Sequence, residues 1–176
     1  DRIINKAGLD TGVLVALIDN EMLLLSKPQI FIKKGICYVY QIVVNETIGV
    51  LISKRNYTKE QAISKVLNYL RENNIIIIKE NSIDKEKGDE IFNELKVYRN
   101  KLKTLPRPED SDLDIMASYK AAGIDYIFTT NFKHFIELGK YLGIFIEGVY
   151  SKEQKQRKDT ERMLRDIFWK NKYKFR

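Results

Sequence analysis

Four oxygen-bearing side chains stand where this 176-residue chain has little local use for them. Glu46 is the only charge in the stretch "CYVYQIVVNETIGVLI". On a helix the apolar residues of 43–52 wrap nearly all the way round, so that helix is expected to be buried. A carboxylate there is costly unless it is paired or binds a cation. Asp10 follows "AGL", at the expected end of a strand. Asp112 and Asp114 open a helix that closes at Gly123. At about 100° per residue, Asp112 shares a face with Ile115, Met116 and Tyr119, and Asp114 lies opposite with Ala117, Ser118 and Ala121. The bulkier face belongs against a sheet, so Asp112 is the acid aimed inward. Asn131 follows "FTT" at the end of a later strand, and an amide oxygen can bind a hard cation or hold a metal-bound water.

If Asp10, Glu46, Asp112 and Asn131 converge at one edge of a sheet, the three carboxylates repel one another, and Mg²⁺ or Mn²⁺ relieves that. Oxygen-only donors argue against zinc. The chemistry such a site suits is phosphodiester hydrolysis, in which a metal activates water and shields charge on phosphate. Each residue also has a purely structural reading. Asp10 and Asn131 are good helix N-caps. Asp112 and Asp114 suit a helix N-terminus. Glu46 can leave through a narrow polar strip with Asn45.

The elements that must position these groups alternate between strand and helix. Residues 3–9 read as a first strand and "TGVLVALID" as a helix start. Residues 36–42 are β-rich, either a strand or the run-in to a helix over 43–55. Residues 57–73 form an amphipathic helix with Ala62, Ile63, Val66, Leu67 and Leu70 on one stripe. Thr58 and Gln61 form its capping box. A buried strand over 74–80 follows, then a charged helix over roughly 83–103 with Ile91, Phe92, Leu95 and Tyr98 on one side. A loop over 105–111 ends in a cap at Ser111 and leads into a helix over 112–123, closed by Gly123. A strand over 124–130, a helix over 131–143 and a last strand over 144–149 complete the series. Strands separated by helices imply βαβ crossovers and a mostly parallel sheet in an α/β fold. One unit over 1–149 is expected, with a basic, helical extension over 150–176.

Charge is placed unevenly. The net charge is +7, and residues 151–176 hold ten Lys/Arg against four Asp/Glu, leaving about +1 for the rest. Such a tail suits a polyanion or an acidic partner. Trp169, Tyr173 and Phe175 lie among Lys170, Lys172 and Lys174, where aromatics can stack on unpaired bases while the cations follow the backbone. They can equally dock the tail on its own domain or on a second subunit. The single Cys37 excludes an intramolecular disulfide, which makes a reducing cytoplasm the expected compartment. His134 is the only histidine, so a multi-histidine metal site is excluded. No signal peptide is visible, and residues 13–25 are too short and too charged to span a bilayer. The chain opens on Asp1 rather than Met, which suggests a trimmed or processed start.

Taken in order, "GLDTGVLVALID", "VVNETIGVL" and "DLDIMASYKAAGIDYIFTTNFKHF" resemble the motifs of the PIN-domain ribonucleases, including the VapC-type toxins of prokaryotic toxin–antitoxin pairs. The likeness covers roughly residues 3–148. Its most specific part is an Asp, an Ile–x–Ala run, a Gly eleven residues after the Asp, and a strand ending in Thr and then an acid or Asn. That spacing selects Asp112, in agreement with the helical argument, and leaves Asp114 auxiliary. The resemblance implies a three-layer α/β/α fold and a Mg²⁺- or Mn²⁺-dependent endoribonuclease. It carries Asp10, Glu46 and Asp112 over as catalytic, metal-binding acids, with Asn131 where the family commonly has Asp. RNA is the implied substrate; Lys133 and His134, which follow Asn131, can meet its phosphates or simply lie on an exposed helix face, while the tail with Lys170, Lys172 and Lys174 departs from the family's compact pattern. A cognate antitoxin and a homodimeric assembly are the implied partners. The rival reading is a non-catalytic PIN-like scaffold that binds RNA or protein through its basic tail. A receiver domain is a weaker rival, because only fragments of its acid and lysine pattern are present.

Overall fold

The computed structural model describes residues 6–19, 26–103, 106–149 and 162–167. Five strands form one all-parallel sheet: β1 (Lys6–Leu9), β2 (Ile36–Tyr40), β3 (Ile76–Ile78), β4 (Tyr126–Thr129) and β5 (Phe145–Gly148). Their order is β3-β2-β1-β4-β5, so the first strand of the chain is the central one. Seven helices connect them: α1 (Thr11–Ile18), α2 (Ser26–Lys34), α3 (Gln41–Arg55), α4 (Lys59–Glu72), α5 (Lys85–Lys101), α6 (Asp110–Ala121) and α7 (Phe132–Leu142). Helices cover both faces, giving three layers. Parallel strands buried on both faces read as apolar runs rather than alternation. All four residues of β4, "YIFT", are buried accordingly.

Local chemistry explains most boundaries. The Thr58–Gln61 capping box forms as the spacing predicts, with bonds of 3.0 and 3.2 Å. The stripe on α4 is narrower than expected: Ala62, Val66 and Leu70 are buried, but Leu67 is 45% exposed. Gly123 takes φ +79° just beyond α6, where an L side chain is disfavoured. The cap at Ser111 is a correction. Helix α6 starts two residues earlier than expected, at Asp110, with Glu109 at the N-cap. Asp112, three residues on, accepts from the Glu109 N–H at 2.9 Å, so an acid closes the turn that Ser111 was expected to cap. Helix α2 was not expected from sequence at all. It is short, but Pro28 lies in its first turn, and Phe31 and Ile32 pack against the core.

Of the basic extension, residues 162–167 are helical. Arg165 pairs with Glu147 of β5 and lies 5.6 Å from the centre of the Phe145 ring. This part of the tail therefore docks on its own domain. Lys170, Lys172, Lys174 and the three tail aromatics lie outside the described residues. Among the described residues, no helix is long and apolar enough to cross a membrane.

Candidate active site

The sheet order creates the place where a site can form. The chain leaves β1 towards β2 and β3 on one side, then returns to add β4 and β5 on the other. At such a switch point the loops after neighbouring strands part and leave a crevice at the carboxyl edge. Asp10 stands there, immediately after β1. Its N–H still donates to the Phe128 carbonyl of β4 at 3.0 Å, so its backbone is held by the sheet.

The side chain of Asp10 is held at both oxygens. Oδ1 accepts from the Thr11 N–H at 2.7 Å and Oδ2 from the Thr129 hydroxyl at 2.7 Å. The first bond is the N-cap of α1, so the structural and functional readings of Asp10 coexist. Thr129 Oγ1 also accepts from the Asn131 N–H at 2.9 Å. On the other side, the Thr11 hydroxyl donates to Glu46 Oε2 at 3.0 Å. Glu46, Thr11, Asp10, Thr129 and Asn131 therefore form one connected run across the edge of the sheet. Asn131 occupies the N-cap position of α7, but its side chain makes no capping hydrogen bond. Its amide is left for other use.

Electrostatics mark the same spot. Burial pushes the Asp10 carboxyl up to about 6; the bonds from Thr129 and Thr11 pull it down, and the charges of Asp112 and Glu46 push it up further. Burial likewise raises Glu46, opposed by its Thr11 bond and reinforced by Asp112, Glu109 and Asp114. These carboxylates feel one another across the crevice. The donor set is oxygen only and short of positive charge, which fits a hard divalent cation. Among the described residues, however, no three His, Cys, Asp or Glu side chains stand as a ready-made coordination group.

The remaining candidates separate. Asp112 is mostly covered, with Oδ2 facing the Glu109 N–H and Nδ1 of His134 at 3.1 Å. His134 thus faces an acid rather than open solvent, whereas Lys133 is exposed. Asp114 looks the other way, into a cavity of about 560 Å³ lined also by Tyr40, Glu80, Asp89, Phe92 and Ser118. Burial, then Glu80, raises its carboxyl, and its charge still reaches Glu46.

Sequence reasoning missed the residues that fasten the site: Thr11, Thr129 and Tyr119. Tyr119 is fully buried, and its hydroxyl donates to the Leu9 carbonyl at 2.6 Å and accepts from the Tyr40 N–H at 3.1 Å. It stitches β1 to β2 just before Asp10 and just before α3, the helix that carries Glu46. Its placement on the Asp112 face was legible; that it would bond to backbone was not. Tyr119→Phe leaves both backbone groups without that partner, so we expect a loss of about 1–3 kcal/mol, read by urea unfolding. A loss under about 0.5 kcal/mol would mean that the hydroxyl bridge is inconsequential.

Neither a family model nor a curated protein matches the sequence. Solved structures do match. One chain of VapBC2 from Rickettsia felis, solved bound to a promoter DNA fragment, superposes with a TM-score of 0.61 at 21% identity, covering 82% of this chain and 98% of that one. VapBC-1 from nontypeable Haemophilus influenzae gives 0.54 at 18% identity, covering 81% and 97%. FitAB bound to an IR36 DNA fragment gives 0.55 at 14% identity, covering 81% and 94%. At these identities the likeness speaks for fold. The chain folds as the VapC-type PIN domain that its motifs resemble, a three-layer α/β/α unit around a parallel sheet.

Proposed function

We propose that this protein is a divalent-metal-dependent endoribonuclease that hydrolyses RNA phosphodiester bonds and acts as the toxin of a toxin–antitoxin pair. The observation that carries the reading is the meeting of Asp10 and Glu46 through Thr11 at the carboxyl edge of the sheet, both carboxyls raised chiefly by burial and further by the charge of Asp112. A fold gains nothing from burying two such carboxyls beside a third acid unless something positive joins them. Asp10, Glu46 and Asp112 would hold Mg²⁺ or Mn²⁺ through oxygen, with the Asn131 amide at the margin. When bound, such an ion supplies charge to the phosphate and acidifies water.

The chain's own residues set the geometry. Thr11 and Thr129 fix Asp10 from opposite sides, and Thr11 also holds Glu46. Among the described residues the three acids do not stand as a ready-made group, so Asp10, Glu46 and Asp112 would have to close up to hold a cation. Lys133, exposed at the start of α7, would meet an RNA phosphate. The neighbours named VapBC and FitAB were solved as complexes, which supports a cognate antitoxin as partner.

The direct test is purified protein with end-labelled RNA, in Mn²⁺ and then in excess chelator. Cleavage should appear with Mn²⁺ and stop with chelator. Asp112→Asn should lower the rate by on the order of 10²-fold or more with RNA affinity kept. RNA that is bound and never cut, or an Asp112→Asn variant as fast as wild type, replaces this reading with the binding scaffold.

A further inference from the structure

His134 is the one histidine of the chain and sits beside an acid of the proposed site. We infer that His134 is a positioning residue: its imidazole fixes the Asp112 carboxylate so that Oδ1, and not Oδ2, is presented to a divalent cation. The inference rests on the metal-dependent reading above and names a residue which that reading does not use.

The argument is one of hydrogen-bond capacity. Oδ2 of Asp112 accepts from the Glu109 N–H at 2.9 Å and lies 3.1 Å from Nδ1 of His134. An ionised carboxylate only accepts, so Nδ1 must carry the proton that points at it. Among the described residues both bonds fall on the same oxygen. One donor comes from the N-terminus of α6 and the other from the first turn of α7, so the carboxylate is held from two separate helices. A carboxylate pinned twice through one oxygen cannot rotate freely, and its other oxygen is left with a set direction. His134 itself is partly covered, with 18% of its side chain exposed, and so is Asp112, with 13% exposed. The contact is shielded from the competition of bulk water that weakens surface pairs. Orientation of a ligating acid by a neighbouring donor typically alters metal affinity by 10- to 100-fold.

Two substitutions separate positioning from mere cohesion of α6 with α7. His134→Phe keeps a ring and loses the donor. His134→Asn places an amide N–H near the position of Nδ1. Mn²⁺ affinity is read by electron paramagnetic resonance on the full chain, with no RNA present, beside thermal melts in chelator. His134→Phe should weaken Mn²⁺ binding about 10- to 100-fold, and His134→Asn should recover most of it. If the phenyl ring disturbs folding, His134→Ala serves in its place. A His134→Phe or His134→Ala variant that melts lower but binds Mn²⁺ as tightly as wild type assigns the contact to structure alone and overturns the inference. A wild type with no measurable Mn²⁺ binding overturns the metal-dependent reading and this inference with it. Tight binding by wild type with unchanged binding by the variant overturns only this one.

Discussion

Asp10→Asn should melt higher than the wild type in chelator at pH 8 and cleave no RNA. The two effects have one source. The folded protein holds the Asp10 carboxyl at about 6, against an ordinary value of 3.8, chiefly because the group is buried. Below pH 4 the group is protonated in both states and costs nothing. As pH rises through 4 to 6 the unfolded chain gives up its proton and the folded chain keeps it, so stability falls. Above 6 the folded protein carries the full cost, up to about 3 kcal/mol. An amide of the same shape carries no charge and escapes that cost. Part of the gain is lost because the Thr129 hydroxyl then faces an N–H₂ group as well as the Asn131 N–H. A net gain of about 1–2 kcal/mol remains, which for a chain of this size raises the melting temperature by roughly 3–8 °C. The gap should close as pH falls towards 4. Saturating Mn²⁺ should reverse the order, since a ligand at a hundred times its Kd adds about 2.7 kcal/mol to the protein that binds it. Thermal melts at pH 8 and pH 4.5, with and without Mn²⁺, check each part. A variant less stable than wild type at pH 8 in chelator would show that Asp10 carries no burial penalty.

Gly8→Ala should unfold most readily of the single substitutions considered. A Cβ on Gly8 would lie 2.8–3.0 Å from Cζ, Cε2 and Cε1 of Tyr119. A surface ring would turn aside. This one is fully buried, so with or without its hydroxyl bonds it has nowhere to go. Either the ring leaves, breaking both bonds, or β1 moves and takes Asp10 with it. Forced overpacking of this kind costs about 3 kcal/mol, a fall of roughly 6–12 °C in melting temperature. Adding Tyr119→Phe should not rescue it, because the clash is with ring carbons. Rescue by Tyr119→Phe, or a variant that melts with the wild type, would refute this account of the ring's role. Circular dichroism of both variants decides it.

The sequence carried the α/β alternation and the site acids because both arise from strong local signals. A lone Glu46 in a sixteen-residue apolar stretch is visible without any structure. So is the helical phase that separates Asp112 from Asp114, which the structure places on different sides. What stayed illegible depends on contacts across the sheet. Thr129 is an ordinary strand threonine until β4 pairs beside β1 and its hydroxyl meets Asp10. Nothing local in "PRPEDSDLD" distinguishes capping by Ser111 from capping by the Glu109–Asp112 turn, since Ser and Asp both accept from a helix N-terminus. Helix α2 escaped notice because "SKPQIFIKK" is only nine residues long and shows a single turn of stripe, Pro28, Phe31 and Ile32, too short to stand out. Asn131 read as a cap by residue type, yet the Thr129 hydroxyl, not the Asn131 side chain, closes the turn that leads into α7.

The central position of β1 also has a consequence for the order of events during synthesis. Asp10 is made before its partner Thr129, which lies 119 residues later. Domains gain their long-range pairings only after the later segment exists, and a ribosome adds about 5–20 residues per second. For several seconds the nascent chain therefore carries an acid after β1 that is hydrated and uncoupled from the rest. The hydrogen-bonded run from Glu46 through Asp10 to Thr129 comes into being only once β4 has emerged, so it forms all at once.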